Sequence, residues 1–206
     1  RGRIIQDCEK ILNKTEFVPD PQLFKSESRK LNFKSSDPEI NYIKVRAFDV
    51  CTFVAFGAAQ IGIAGDDVVQ EFDYSEVYAP LDLNIGHCRL SVASPQSLLN
   101  VEDPSSWSSI RIATKYPNLA KNFYAEKGIQ VEAIKLNGSM ELAPNLFMCR
   151  RIVDLVSTGK TLKENGLKEV EKIMDVQSKL IVNRSAYKTK TKKIELIIKS
   201  IKKAIK

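Results

Sequence analysis

The chain is poor in the residues on which much enzyme chemistry depends. It has a single histidine, His87, so a Ser-His-Asp arrangement has only one possible base. The adjacent Cys88 is not placed as catalytic Cys–His pairs are normally assembled, and both are expected to be structural. The four cysteines at 8, 51, 88 and 149 form no Cys-x-x-Cys pair, which removes the spacing support for zinc or dithiol chemistry. Buried free thiols are expected instead. No apolar run approaches the roughly 18 residues of a membrane span. The opening Arg1-Gly2-Arg3-Ile4-Ile5-Gln6-Asp7 does not build the apolar core of a signal peptide, so a cytoplasmic location with no membrane partner is expected.

What is present is a globular composition: 206 residues, 43% hydrophobic and 28% charged, enough for one large domain or two small ones. The net charge of +7 is concentrated at one end. Residues 188–206 hold eight lysines (188, 190, 192, 193, 199, 202, 203 and 206) against Glu195, which accounts for the whole excess. There Ile194, Ile197, Ile198, Ile201 and Ile205 fall on one helical stripe. A terminal helix docked on the body with a solvated basic face is expected. No aromatics interleave the lysines, so nucleic acid is not an expected partner.

Apolar runs alternate with amphipathic stretches, as in an α/β protein. Helices are predicted over 4–12, from Asp49 to about Phe56, and after Gly65-Asp66-Asp67; strands over 42–47, 60–64 and 88–93. A βαβ unit follows. Its strands are 109–113 and 131–136, and Thr114 caps the helix between them, which carries Pro117 in its first turn and stops at Gly128. Asn137-Gly138-Ser139 is read as opening a helix to about Arg151, and 152–156 as a third strand. Ser157-Thr158-Gly159-Lys160-Thr161 then turns into a short helix ended by Gly166.

Three apolar strands thus end in small, hydroxyl- or acid-bearing turns that open helices: 63–67, 136–139 and 156–161. Such turns lie where α/β sheets bind ligands, and free N–H groups at a helix start hold phosphate. Gly159-Lys160-Thr161 imitates the end of a P-loop, yet the motif's first glycine would be residue 154, which is Asp. A Walker-type NTPase is therefore not expected. The turn suits a phosphate, with Asp154 within reach of a ribose hydroxyl or a magnesium-bound water.

Asp154-Leu155-Val156-Ser157-Thr158-Gly159-Lys160-Thr161-Leu162, Glu164-Asn165-Gly166-Leu167 and Leu136-Asn137-Gly138-Ser139-Met140-Glu141-Leu142-Ala143-Pro144 resemble the ATP phosphoribosyltransferase family. The resemblance continues through Arg111-Ile112-Ala113-Thr114-Lys115-Tyr116-Pro117-Asn118, Gly62-Ile63-Ala64-Gly65-Asp66-Asp67-Val68, Ser28-Arg29-Lys30-Leu31, Val45-Arg46-x-x-Asp49 and Leu180-Ile181-Val182-Asn183-Arg184, in the family's order. Arg1-Gly2-Arg3 resembles the family's Lys-Gly-Arg, which normally follows a first β-strand that this sequence lacks. Gln60 and Arg150 stand where the family usually has aspartates, Phe147 where it has glycine and His87 where it has arginine.

The resemblance implies a two-lobed α/β fold like that of type II periplasmic binding proteins, with the active site in the interlobe cleft. The lobes would be 1–86 plus 174–206, and 87–173. It implies transfer of the phosphoribosyl group of 5-phosphoribosyl 1-pyrophosphate to N1 of ATP, releasing pyrophosphate with magnesium present, as the first step of histidine biosynthesis. Asp154, Leu155, Val156, Ser157, Thr158, Gly159, Lys160 and Thr161 would bind phosphoribosyl pyrophosphate. Arg1, Arg3, Arg29, Arg46 and Asp66 would bind ATP. Arg3, Arg29, Arg46, Glu141 and Asp154 would form the catalytic set, and no residue is assigned as a direct metal ligand. Only 22 residues follow Arg184, too few for a histidine-sensing domain. The resemblance is therefore to the short form, a homodimer that works with a regulatory subunit similar to histidyl-tRNA synthetase. A non-catalytic solute- or nucleotide-binding module on the same fold is the alternative. Retention of the phosphate loop and the arginines argues against it.

Overall fold

The computed structural model describes residues 4–206, so Arg1 and Arg3 lie outside the described residues. The chain divides into two compact units, one running to Gly86 and resuming at Gln177–Lys206, the other spanning His87–Val176. Each is a mixed α/β layer structure. Among the described residues no helix is long and apolar enough to cross a membrane.

In the first unit β3 (Ile61–Gly65) and β4 (Val77–Asp82) flank β10 (Ser178–Asn183) in an antiparallel sheet. Strand β10 reads Leu180-Ile181-Val182 at its centre, and all three are fully buried. Successive side chains leave a strand on opposite faces, so an apolar run of this kind needs cover on both. On one face Leu180 joins Leu83 with Ile11 of helix α1 (Ile5–Leu12) and Ile201 and Ala204 of α8 (Thr191–Ala204). On the other, Ile181 meets Cys51 and Val54 of α2 (Asp49–Ala55) and Val68 of α3 (Asp66–Phe72). The isoleucine stripe of the tail is therefore the inner face of α8. Asn183 links two elements. Its amide donates to the Val54 and Ala55 carbonyls at the end of α2, while its Oδ1 accepts the Ala186 N–H and caps α7 (Arg184–Thr189).

The strand predicted over 42–47 is shorter than expected. Only β2 (Asn41–Ile43) pairs, as a two-stranded ribbon with β1 (Asn32–Lys34). It stops because Lys44 turns inward, its ammonium donating to the carbonyls of Leu23 (2.7 Å) and Lys25 (3.1 Å).

The second unit holds a five-stranded sheet in the order β7-β6-β8-β5-β9. Strands β6 (Ser109–Thr114), β7 (Gln130–Lys135) and β8 (Arg151–Val156) are parallel, and α4 (Pro117–Ala125) makes the β6–β7 crossover. Strand β5 (Cys88–Pro95) runs antiparallel to β8 and to the edge strand β9 (Leu167–Val176). Thr114 does not cap α4, whose N-cap is Tyr116. It ends β6 instead, where its buried hydroxyl donates to the Val153 carbonyl and accepts the Tyr116 N–H.

The helix expected from Asn137 to about Arg151 is also corrected. Only α5 (Leu142–Asn145) forms, and the chain then turns at Phe147 with φ +58°. The Met148 N–H bonds the Ala143 carbonyl and the Phe147 N–H bonds that of Pro144, a Schellman stop with phenylalanine in the position that glycine usually takes. The apolar residues Leu142, Leu146, Phe147 and Met148 within the expected span are all exposed, Phe147 at 93%, so no buried face would hold a longer helix.

Phe147 buries almost nothing and holds a left-handed backbone. Phe147→Gly should therefore raise unfolding stability by about 1 kcal/mol, read by urea titration. An unchanged or lower midpoint would contradict the assigned strain.

Candidate functional site

Strand β8 ends at Val156, and the chain crosses residues 157–159 to enter α6 (Lys160–Glu164). The crossing depends on Gly159, whose φ of +76° is left-handed and costly for any side chain. The anchors on either side are apolar: Val156 and Leu162 are buried in a cluster with Ile152, Met140 and Ala143. Between them Ser157, Thr158, Lys160 and Thr161 are exposed, so hydroxyls and a helix start are held above a fixed base. The Lys160 N–H lies 3.4 Å from the Thr158 hydroxyl.

The base of this turn is braced from two neighbouring strands. Arg89 on β5 donates to the Ser157 carbonyl at 3.2 Å. Its guanidinium also grips Glu169 on β9 in a two-pronged pair, Nε to Oε1 at 2.6 Å. Ser91 donates to the same carboxylate at 2.8 Å. The hydrogen bond from Arg89 is the main reason the Glu169 carboxyl lies below the usual carboxylate range, and Ser91 adds to it.

Asp154 is half-buried on β8, opposite Ser91 of β5, and its Oδ1 accepts the Leu155 N–H at 2.8 Å. Alternation puts it on the strand face of Ile152 and Val156, the face covered by α5 and α6. Glu141, half-buried, occupies the N-cap of α5 between Met140 and Leu142. Asp66, half-buried at the start of α3 in the other unit, has Oδ1 3.8 Å from the Lys179 ammonium, which is closer to Asp82 at 2.7 Å. Among the described residues no group of three histidine, cysteine or acidic side chains could hold a metal.

The arginines fall into two kinds. Arg89, Arg111, Arg150 and Arg151 each pair with a glutamate, and Arg184 lies over the Tyr78 ring. Arg29 and Arg46, both exposed in the first unit, pair with no carboxylate among the described residues. The segment leading to Arg29 is held by the Lys44 ammonium at Leu23 and Lys25, and the Lys44 N–H donates to the Leu31 carbonyl just beyond it. Arg46 sits two residues past that anchor, its carbonyl accepting the Asp49 N–H.

The sequence profile of the ATP phosphoribosyltransferase family matches residues 46–203. The chain belongs to this family. An ATP phosphoribosyltransferase of Rhodospirillum rubrum is 52% identical over 204 residues, covering 99% of this chain and 90% of the relative. One from Paramagnetospirillum magneticum is 53% identical over 204 residues, covering 99% and 93%. Among solved structures, a chain of the ATP phosphoribosyl transferase (HisG:HisZ) complex from Thermotoga maritima matches with a TM-score of 0.83 at 30% identity, covering 100% of this chain and 95% of that one. Members of the family are pentosyltransferases that open histidine biosynthesis by joining ATP to the phosphoribosyl group of phosphoribosyl pyrophosphate. The α/β fold in two units is the family's fold.

Beside the residues singled out from sequence, the structure adds Arg89, Ser91, Glu169 and Lys44. Arg89 and Glu169 are eighty residues apart, and only the β5–β9 pairing brings them together. Lys44 carried no signal beyond being a lysine near Arg46.

Because the folded-state carboxyl of Glu169 is depressed, its contribution to stability is present above the ordinary glutamate range and is lost as pH falls through the folded value. Glu169→Gln should lower Tm at pH 7, and the gap to the unmodified chain should close on acidification. A gap independent of pH would assign the brace to shape alone.

Proposed function

We propose that residues 157–161 hold the 5-phosphate of phosphoribosyl pyrophosphate, through the hydroxyls of Ser157, Thr158 and Thr161 and the N–H groups at the start of α6. Asp154, Leu155 and Val156 deliver the chain to this turn, and Gly159 lets the backbone approach the ligand. Asp154 and Glu141 face the ribose hydroxyls. Lys160 adds positive charge beside the phosphate.

ATP and phosphoribosyl pyrophosphate are both polyanions, and bringing them together requires cations whose charge is not already spent on the protein's own carboxylates. Arg29 and Arg46 meet that requirement, and Arg1 and Arg3 extend the set by the family resemblance. Asp66 is the acidic member of the ATP site, near Lys179. In the transfer, the N1 lone pair of adenine forms the bond to ribose C1 as the C1–oxygen bond breaks and pyrophosphate leaves with its electron pair. N1 needs no strong general base, so alignment of the two ligands supplies most of the rate.

Magnesium fits this site as a substrate-borne ion. Asp154 and Glu141 give too few donors for a closed cage, and magnesium commonly keeps its waters and takes one or two carboxylates plus phosphate oxygens. When bound it would neutralise charge on the departing pyrophosphate.

The chain acts in the cytoplasm as a homodimer of the short form, with a regulatory subunit similar to histidyl-tRNA synthetase. The match to a chain of the HisG:HisZ complex from Thermotoga maritima supports the hetero-oligomer.

The observation that carries the residue assignment is the braced, hydroxyl-bearing turn at the end of β8. Thr158→Val or Thr161→Val should weaken phosphoribosyl pyrophosphate by roughly 1–3 kcal/mol per lost contact in calorimetry and leave ATP nearly unchanged. Arg46→Ala should weaken ATP and slow turnover with little change in Tm. Equal weakening of both ligands by the threonine variants would overturn the loop's role.

A further inference from the structure

The second unit has a cavity of about 380 Å³, at the small end of ligand sites, lined by Val92, Trp107, Tyr124, Lys127, Arg151 and Glu171 among others. It is on the sheet face opposite α5 and α6. Arg151 alternates with Ile152 along β8, and Val92 with Ala93 along β5; Ile152 and Ala93 belong to the α5–α6 cluster. Arg151 is the first residue of β8, whereas the phosphate turn begins after the last, about 17 Å further along the strand.

The hydrogen bonding of the buried arginine here is incomplete. Arg151 is only 5% exposed, and its Nε has no hydrogen-bond partner among the described residues. Its single ionic contact among the described residues is to Glu102 at 3.4 Å, and that carboxylate is shared with Arg150 at 3.7 Å. Arg150 is largely exposed, so Arg151 and Glu102 form the buried pair, and their long contact leaves the Arg151 Nε unsatisfied at the cavity wall. The Arg151 guanidinium lies over the Trp107 ring, 4.9 Å from its centroid. Lys127 and Glu171 pair with each other, so neither charge is directed at the Arg151 Nε. The Tyr124 hydroxyl is held neutral, its pKa pushed up to about 12 by burial. Val92, Val170 and Ile129 supply apolar wall.

We propose that this cavity binds a small monocarboxylate with a flat apolar body, its carboxylate received by the Arg151 guanidinium. The carboxylate supplies the acceptor that the Arg151 Nε lacks, and the apolar walls accept the body. The proposal is independent of the phosphoribosyl assignment, because the site shares no residue with the 157–161 turn or with Arg29 and Arg46.

Trp107 is the only tryptophan of the chain, so its emission reads this cavity directly. The full chain is titrated with benzoate, with the neutral isostere benzamide and with inorganic phosphate. Benzoate should give a saturable change at one equivalent per chain, unaffected by added phosphoribosyl pyrophosphate, and the other two should give none. Arg151→Gln should weaken benzoate about tenfold or more. That variant strips a partner from buried Glu102, so Val170→Phe, at a position 36% exposed, serves as a second one that narrows the mouth without removing a charge. It should abolish the response with Tm retained. No saturable change with benzoate, an equal response to benzamide or phosphate, or an undiminished response in Val170→Phe would each overturn the proposal.

Discussion

The ion pair between Arg89 and Glu169 is the point on which the 157–161 end of the second unit's sheet depends. It joins β5 to β9, and through the Ser157 carbonyl it reaches the end of β8, so three adjacent strands are fixed at the level where the 157–161 turn begins. A turn built from glycine and small hydroxyl residues has little stiffness of its own. Its rigidity comes from the buried Val156 and Leu162 on either side and from the guanidinium beneath it. The exposed hydroxyls can then be spent on a ligand, because none is needed to close the sheet.

The first unit follows a related logic with charge in place of hydroxyls. Burying β10 on both faces and capping two helices with Asn183 makes a body that does not need its surface arginines for stability. Lys44, with its ammonium on two backbone carbonyls, fixes the segments that carry Arg29 and Arg46. The two arginines remain without carboxylate partners among the described residues, whereas Arg89, Arg111, Arg150 and Arg151 are all paired. A family whose substrates are two polyanions has use for such unpaired charge.

Much of this was legible from local pattern. The strand, turn and helix of 151–164 carry an apolar run, a left-handed glycine and a buried Leu162 in direct succession, and the α8 stripe repeats at helical spacing. Features set by distant partners were not legible. Half of strand β9 is charged, as exposed edge strands often are, and it shows no alternating signal. The helix opened at Asn137 was expected to run on to about Arg151, but its true stop needs a positive φ at Phe147 that no helix-stop rule assigns to phenylalanine. For the site, the hydroxyl turn could be read directly from sequence. The Arg89–Glu169 brace could not, because its members meet only through β-pairing.

The most direct test of the central claim is to follow backbone amide resonances of the ¹⁵N-labelled chain as phosphoribosyl pyrophosphate is added. The account predicts that the largest and saturating shifts fall on Ser157, Thr158, Gly159, Lys160 and Thr161, with the amides of α8 unmoved. Saturating shifts elsewhere in the second unit, with those five amides unchanged, would contradict it.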